Sequence, residues 1–190
     1  WDIDLTAVNL PFNSGSLQGS IDPDLSVNGS FKSPIISGEV LTHDLNIKIP
    51  FTFQENYKQG MFKPVLDIVL KPGKDVNICN QYLDIVVEKG SLGLSNEGEK
   101  ILLKGKVSSR NGSFDYYNNK FIMEKGYATF KRFDNNIPEI WASAYTYVRG
   151  VKIFINIDGP ADNMLMTFHS QPELSRKEII NLLVSKGGLG

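Results

Sequence analysis

The sequence has little that could carry catalysis or hold a metal. Its 190 residues include one cysteine, Cys79, and two histidines, His43 and His169, neither of which lies in an HxH or HxxxH pattern. One cysteine excludes an internal disulfide, and a zinc site needs three or four ligands. G-x-S-x-G and GxxxxGK[ST] are also absent. These gaps favour a non-enzymatic protein with no cofactor or metal; a glycosidase that uses two carboxylates on an all-β scaffold stays open as the enzymatic alternative.

Excess charge and long apolar runs are missing too. The chain carries 20 Lys+Arg against 21 Asp+Glu, a formal net charge of −1. This balance argues against a nucleic-acid partner, which selects for a basic face. No window approaches the roughly 18–20 apolar residues of a transmembrane helix. Because the chain begins at Trp1 without a signal peptide, we expect a fragment, one domain over residues 1–190, of a longer protein whose anchor lies outside it.

Apolar residues recur at every second position through most of the chain. Leu45 to Phe53 is the cleanest run, and Leu83, Ile85 and Val87 repeat the pattern. Period-two alternation places one apolar set on one face of a β-strand. The sequence therefore predicts an all-β domain of at least ten strands, up to Phe168.

Glycine- and asparagine-containing pairs predict turns between these strands. The centre of the chain, Leu103–Phe130, is predicted to be a meander broken at Ser108–Gly112, Asn118–Asn119 and Lys125–Gly126, and a turn at Lys89–Gly90 precedes it. Such pairs supply the positive φ angles that tight hairpins require.

The period changes only in the C-terminal segment, residues 170–187. Ser175 followed by Glu178 is a capping box, so we predict one short helix from Arg176 to Ser185. Its apolar face needs a partner, and we expect it to plug one end of the sheet's apolar side. The residues expected to make that contact are Ile179, Leu182 and Leu183.

The apolar alternation itself has two interpretations. It fits the closed core of a sandwich or barrel, and it equally fits a folded-over sheet whose oily inside has room for apolar ligands. No long hydrophobic helix is available to cover the sheet, and aromatic and methionine residues are spread along the chain. These two details favour the folded-over sheet.

Several motifs in the last two thirds of the chain resemble the C-terminal domain of the TamB family, the inner-membrane-anchored subunit of the translocation and assembly module of diderm bacteria. The closing motif, from Ser170 to Leu183, is the most diagnostic. In chain order the motifs are L-x-G-x-V, G-S-F-x-Y-Y, F-x-M-x-x-G-x-A-T-F, P-E-I-x-A-x-A, V-x-I-x-I-x-I-x-G and S-Q-P-E-L-S-x-x-E-I-I-N-L-L. The first third of the chain shares with the family only the pattern of a strand, a glycine and another strand.

The resemblance implies an elongated, taco-shaped β-groove with a hydrophobic interior in an AsmA-like protein that crosses the periplasm from an inner-membrane anchor. It also implies three partners: phospholipid acyl chains, a TamA-like outer-membrane barrel and neighbouring groove repeats of the same chain. Family chains usually run on past the helix into further amphipathic strands, whereas this chain ends at Gly190. The residues expected to line the groove are Leu45, Ile47, Ile49, Phe51, Phe53, Ile68, Leu83, Ile85, Val87, Leu103, Phe114, Phe121, Met123, Ile153 and Ile155.

Two functions are compatible with such a groove. The first is a conduit that carries phospholipids between the inner and outer membranes. The second is a scaffold for outer-membrane barrel proteins or autotransporters, which would add a strand to an open sheet edge.

Overall fold

The computed structural model describes residues 1–48, 63–98, 100–131 and 136–187. Within them the chain forms strands and one C-terminal helix, and the all-β prediction is confirmed. The elements are β1 (Asp2–Thr6), β2 (Leu10–Ser14), β3 (Leu17–Ser30), β4 (Ser33–Lys48), β5 (Val65–Pro72), β6 (Val76–Asn80), β7 (Leu83–Val87), β8 (Lys89–Glu97), β9 (Lys100–Ser109), β10 (Asn111–Tyr116), β11 (Asn119–Phe130), β12 (Glu139–Val148), β13 (Val151–Pro160), β14 (Leu165–Gln171) and α1 (Arg176–Gly187).

All of the described strands belong to one sheet. Some pairs of successive strands continue in the same direction and together form one longer strand with a break in the middle. β7 and β8 pair with β10 and β9 in a single register, so that Val86 lies opposite Asn111 and Lys89 opposite Ser108. The sheet order is β3, β4, β5 with β6, β7 with β8, β9 with β10, β11, β12, β13 and β14, and β1 and β2 both pair with β3. Neighbouring strands are antiparallel, except that β4 runs parallel to β5 and to β6.

Three predicted turns are wrong, because the chain continues through them as strand. Lys89–Gly90 opens β8, Lys125–Gly126 lies inside β11, and only Arg110 separates β9 from β10 within Ser108–Gly112. Gly90 does adopt a positive φ of 130°. A bent strand can use such a conformation as readily as a hairpin does. The glycine therefore indicated a positive φ angle correctly, but not a reversal of the chain.

These interruptions line up across neighbouring strands in a band that we call the crease: Asp44, residues 73–75, Glu88, Arg110 and Glu124. Hydrogen bonds hold the band together, since the Asp44 N–H donates to the Lys74 carbonyl at 2.9 Å and the Glu88 N–H donates to the Ser108 carbonyl at 3.0 Å. The register of β11 against β12 shifts between Met123 and Lys125, as in a β-bulge. Bulges bend strands, and a line of bends folds the whole sheet.

One face of the folded sheet is apolar, and we call it the inner face. Cross-strand neighbours Ile68, Leu94 and Leu103 share it. The opposite, outer face is largely polar, with Lys104 and Lys106 on the same strand as Leu103. Leu102 is an exception, because it has outer-face parity and yet is buried.

The buried core occupies only part of the inner face. Its larger cluster lies where α1 meets the sheet, and its members are Phe121, Met123, Ala142, Ala144, Val148, Ile153, Ile155, Ile157, Ile179 and Leu183. A smaller cluster contains Leu45, Val76 and Val87, beside the crease. Among the described residues, no helix is both long and apolar enough to cross a membrane.

Candidate functional site

The inner face is the candidate site, and the structure places the predicted lining residues in three environments along it. Ile49, Phe51 and Phe53 lie outside the described residues. The other predicted residues lie under the helix, beside the crease, or on the part of the inner face outside these two regions.

The first environment is covered by α1. Phe121, Met123, Ile153 and Ile155 are buried there in one cluster, and Phe114 and Ile85 pack against it. The helix contributes its own apolar side to this cluster. Ile179 and Leu183 are buried, and Leu182 is half-buried against the same residues. The predicted packing of the helix on the apolar side of the sheet is therefore confirmed.

The capping box that predicted the helix is present. The Ser175 N–H and hydroxyl donate to Glu178 Oε2 at 2.8 and 2.6 Å, and the Glu178 N–H donates to the Ser175 hydroxyl at 3.4 Å. Hydrogen bonds from the Ser175 hydroxyl and N–H lower the pKa of the Glu178 carboxyl. Leu174 packs into the same cluster as Ile179, the arrangement of a hydrophobic staple.

A buried amide ties the far end of the helix to the sheet. Asn119, the first residue of β11, donates from Nδ2 to the Leu183 carbonyl at 2.9 Å and to the Tyr117 carbonyl at 2.7 Å. This buried amide therefore links the C-terminal half of α1 to the start of β11.

The second environment lies beside the crease. Leu45 and Val87 are buried there with Val76, and Ile47 packs against them. Leu83 is half-buried and pairs with Phe114 on β10. The lining here combines β4, β6 and β7.

The third environment is the part of the inner face that lies outside both buried clusters of the described residues. Ile68 and Leu103 are half-buried and flank Leu94 in a row across three strands. None of these three belongs to a buried cluster of the described residues. Cross-strand register adds half-buried apolar neighbours to the predicted set, among them Ile36, Leu66, Leu70 and Leu92. Their alternation was visible in the sequence, but their adjacency required the strand pairing.

The polar groups offer little chemistry. His43 Nε2 lies 3.0 Å from Asp22 Oδ2, and the Asn9 N–H donates to Asp22 Oδ1 at 2.6 Å. The Asn9 hydrogen bond, followed by that of His43, lowers the pKa of the Asp22 carboxyl. Within the described residues no three His, Cys, Asp or Glu side chains are grouped so as to hold a metal. His43 is hydrogen-bonded to Asp22, and this contact joins β3 to β4 next to the crease.

Comparison with known proteins identifies one family. The model of the TamB C-terminal domain matches residues 1–190, the whole chain, so the match includes the first third, where the motifs were weakest. No curated protein matches the chain.

Proposed function

Because the chain belongs to the TamB C-terminal domain family, we propose that its inner face binds phospholipid acyl chains and conducts them between the inner and outer membranes of a diderm bacterium. Family membership implies a role in the translocation and assembly module or in outer-membrane biogenesis. Lipid as the cargo, the periplasm as the compartment, and a TamA-like barrel and adjoining groove repeats as partners belong to the proposal. A non-enzymatic mechanism agrees with the family's role in transport and assembly.

The observation that carries the proposal is an apolar row on the inner face that lies outside the buried clusters of the described residues. Ile68, Leu94 and Leu103 adjoin one another across three strands, and they are only half-buried. An apolar surface that continues over several strands without a cover marks a binding site more often than a structural one. The helix makes its main contacts with β14, β11 and β12, and none of the three row residues belongs to the helix cluster of the described residues.

The size of the hydrophobic effect suits a conduit. Each buried methylene contributes about 0.8 kcal/mol, so an acyl chain of about fourteen carbons would gain on the order of 10 kcal/mol at most. The attraction is non-directional, because it depends on the apolar area removed from water. A chain can therefore slide along a uniform apolar row, whereas a polar anchor would hold it in place.

The test adds a charge to this row. Leu94→Arg places a guanidinium among Ile68 and Leu103, and we expect the domain to stay folded because a half-buried arginine can extend toward water. The purified 190-residue chain, analysed by native mass spectrometry and lipid extraction, should lose its bound phospholipid. Ser95→Arg is the matched control, since Ser95 is the next residue on β8 and lies on the outer face. A folded Leu94→Arg variant with normal lipid content would refute the conduit.

The second candidate function, an assembly scaffold, is favoured by the edge of the sheet. Among the described strands β14 pairs only with β13, so its other edge offers unpaired N–H and C=O groups. A nascent barrel strand with its own alternation could add there. Thr167→Lys would introduce a charge at this edge, and Asn156→Lys, its neighbour on β13, is the control. Capture of an unfolded barrel substrate should fall only in the first variant; equal capture by both would contradict edge binding.

A further inference from the structure

The outer face of β11 to β14 is unlike the rest of the outer face, because it is rich in aromatic side chains. Tyr127 stacks on Trp141 with ring centres 5.1 Å apart, and Phe154 stacks on His169 at 4.6 Å. Two cross-strand rows carry these groups. They are Ile122, Tyr145, Phe154 and His169 in one, and Tyr127, Trp141, Asp158 and Leu165 in the other.

These side chains are exposed or half-buried in the described part of the protein. Leu165 is 67% exposed and Tyr147, at the end of β12, is 59% exposed. Trp141, Tyr145 and Phe154 are half-buried, although each points away from the buried cluster beneath the sheet. Large aromatic and aliphatic groups grouped at a surface mark an interaction site.

Lysine ammonium groups lie over the rings. Lys106 Nζ is 3.6 Å from the ring centre of Tyr127, and Lys152 Nζ is 4.2 Å from that of Tyr145. Lys125 lies 5.8 Å from the Trp141 ring. None of the salt bridges in the described ranges involves these three lysines. Their charges are therefore available to an anionic partner.

Carboxylates do occur near this surface. Asp158 lies in the second aromatic row, Glu124 sits in the bulge of β11, and Glu139 is 3.7 Å from Lys131. Lys106, Lys125 and Lys152 thus share this region of the sheet with acidic groups. The surface is amphipathic rather than strongly basic, which fits a partner that has both charged groups and an apolar interior.

We propose that this aromatic–lysine surface (Tyr127, Trp141, Tyr145, Tyr147 and Phe154 with Lys106, Lys125 and Lys152) docks on a bilayer that contains anionic phospholipids. Tyrosine and tryptophan favour the membrane–water boundary, where one part of the ring is apolar and the other is wet. Each lysine near an anionic leaflet adds electrostatic attraction. A protein partner fits less well, because protein interfaces are depleted of lysine.

The docking surface is independent of the acyl-chain function, since it lies on the opposite face of the sheet. In β12 the small residues Ala142 and Ala144 point inward, and Trp141 and Tyr145 point outward. Contact through the outer face would hold the domain against a leaflet and leave the inner face free.

The experiment uses the 190-residue chain and vesicles of defined composition. The chain has two tryptophans, so Trp1→Phe leaves Trp141 as the only one. With vesicles of mixed phosphatidylcholine and phosphatidylglycerol, we expect a blue shift of Trp141 fluorescence, quenching by brominated acyl chains, and release at high salt. Neutralising Lys106, Lys125 and Lys152 to glutamine should weaken partitioning by on the order of 100-fold.

Matched controls separate this surface from general charge and general exposed apolar area. Lys32, Lys48 and Lys100, exposed lysines outside the surface, are changed to glutamine together, and both triple variants are checked for folding by circular dichroism. Tyr147→Ser is compared with Tyr82→Ser, since Tyr82 is 60% exposed in the turn between β6 and β7, outside the surface. Binding that persists in Tyr147→Ser, equal loss in both lysine triples, or binding to phosphatidylcholine alone would overturn the proposal.

Discussion

At the scale of single residues, glycines on the sheet mark places where neighbouring strands come too close for a side chain. Gly105 has a φ of 143°, and a Cβ there would collide with the Ser91 carbonyl of β8. We expect Gly105→Ala to destabilise the domain by about 1–3 kcal/mol, because it combines a strained backbone with this clash. Urea unfolding measures the change.

Gly93 is the control for that prediction, since it lies on the neighbouring strand β8. A Cβ at Gly93 would meet only the Lys104 carbonyl, at 3.4 Å, and the backbone there is not in the positive-φ region. Gly93→Ala should leave the unfolding free energy nearly unchanged. Equal effects of the two substitutions would contradict the close approach at Gly105.

The residue scale also shows what parity alone could not reveal. Between Trp141 and Val148 aromatic residues alternate with small ones, so both faces of this strand carry mostly apolar side chains. Alternation identified the strand but not which set faced inward. The structure places Ala142 and Ala144 inside, beneath the helix, and the larger rings outside, because Ile179 and Leu183 already fill the space over these strands.

At the scale of elements, α1 depends on its cap. The pKa of Glu178 is lowered in the folded protein, from a usual 4.5, by hydrogen bonds from Ser175. A lowered folded pKa stabilises the fold above the unfolded pKa, and this contribution is lost as the pH falls through the folded value. We expect Glu178→Gln to be less stable than the parent at neutral pH. The difference should shrink as the pH falls below the usual value of 4.5 and vanish below the folded pKa.

Chemical denaturation at a series of pH values measures that difference, and Ser175→Ala supplies the reference. Removing the cap serine should cost about 1 kcal/mol. Unlike Glu178→Gln, it should still destabilise in acid through the lost hydroxyl acceptor of the Glu178 N–H. A gap between parent and Glu178→Gln that is the same at every pH would exclude the carboxylate as the source.

The same scale separates what was predictable from what was not. Local signals were sufficient for the strands and for the helix start at Arg176, because alternation and capping act over a few residues. The turns at Lys89–Gly90 and Lys125–Gly126 were wrong because a glycine reports a backbone angle, not whether the chain reverses. The parallel pairing of β4 with β5 joins segments distant in sequence, and no local pattern encodes it.

At the scale of the whole molecule, the inner face is divided into a buried region beneath the helix and a half-buried region beyond it. The bends align from Asp44 to Glu124, so the single sheet of the described residues folds along this band. The helix then fills one region of the inner face and leaves Ile68, Leu94 and Leu103 partly open. Under the proposed function, the buried region would carry stability and the half-buried row would carry acyl-chain binding.

This division predicts opposite outcomes for the same substitution at two positions. Leu183→Ala removes a fully buried side chain from the cluster beneath the helix and should cost about 2–5 kcal/mol, because it leaves a cavity. Leu94→Ala removes a half-buried side chain and should cost clearly less. For acyl-chain binding the order reverses: Leu94→Ala should weaken the binding of a fluorescent fatty acid more than Leu183→Ala does in folded protein. If Leu94→Ala were as destabilising as Leu183→Ala and fatty acid bound equally to both, the half-buried row would be an ordinary core rather than a lipid path.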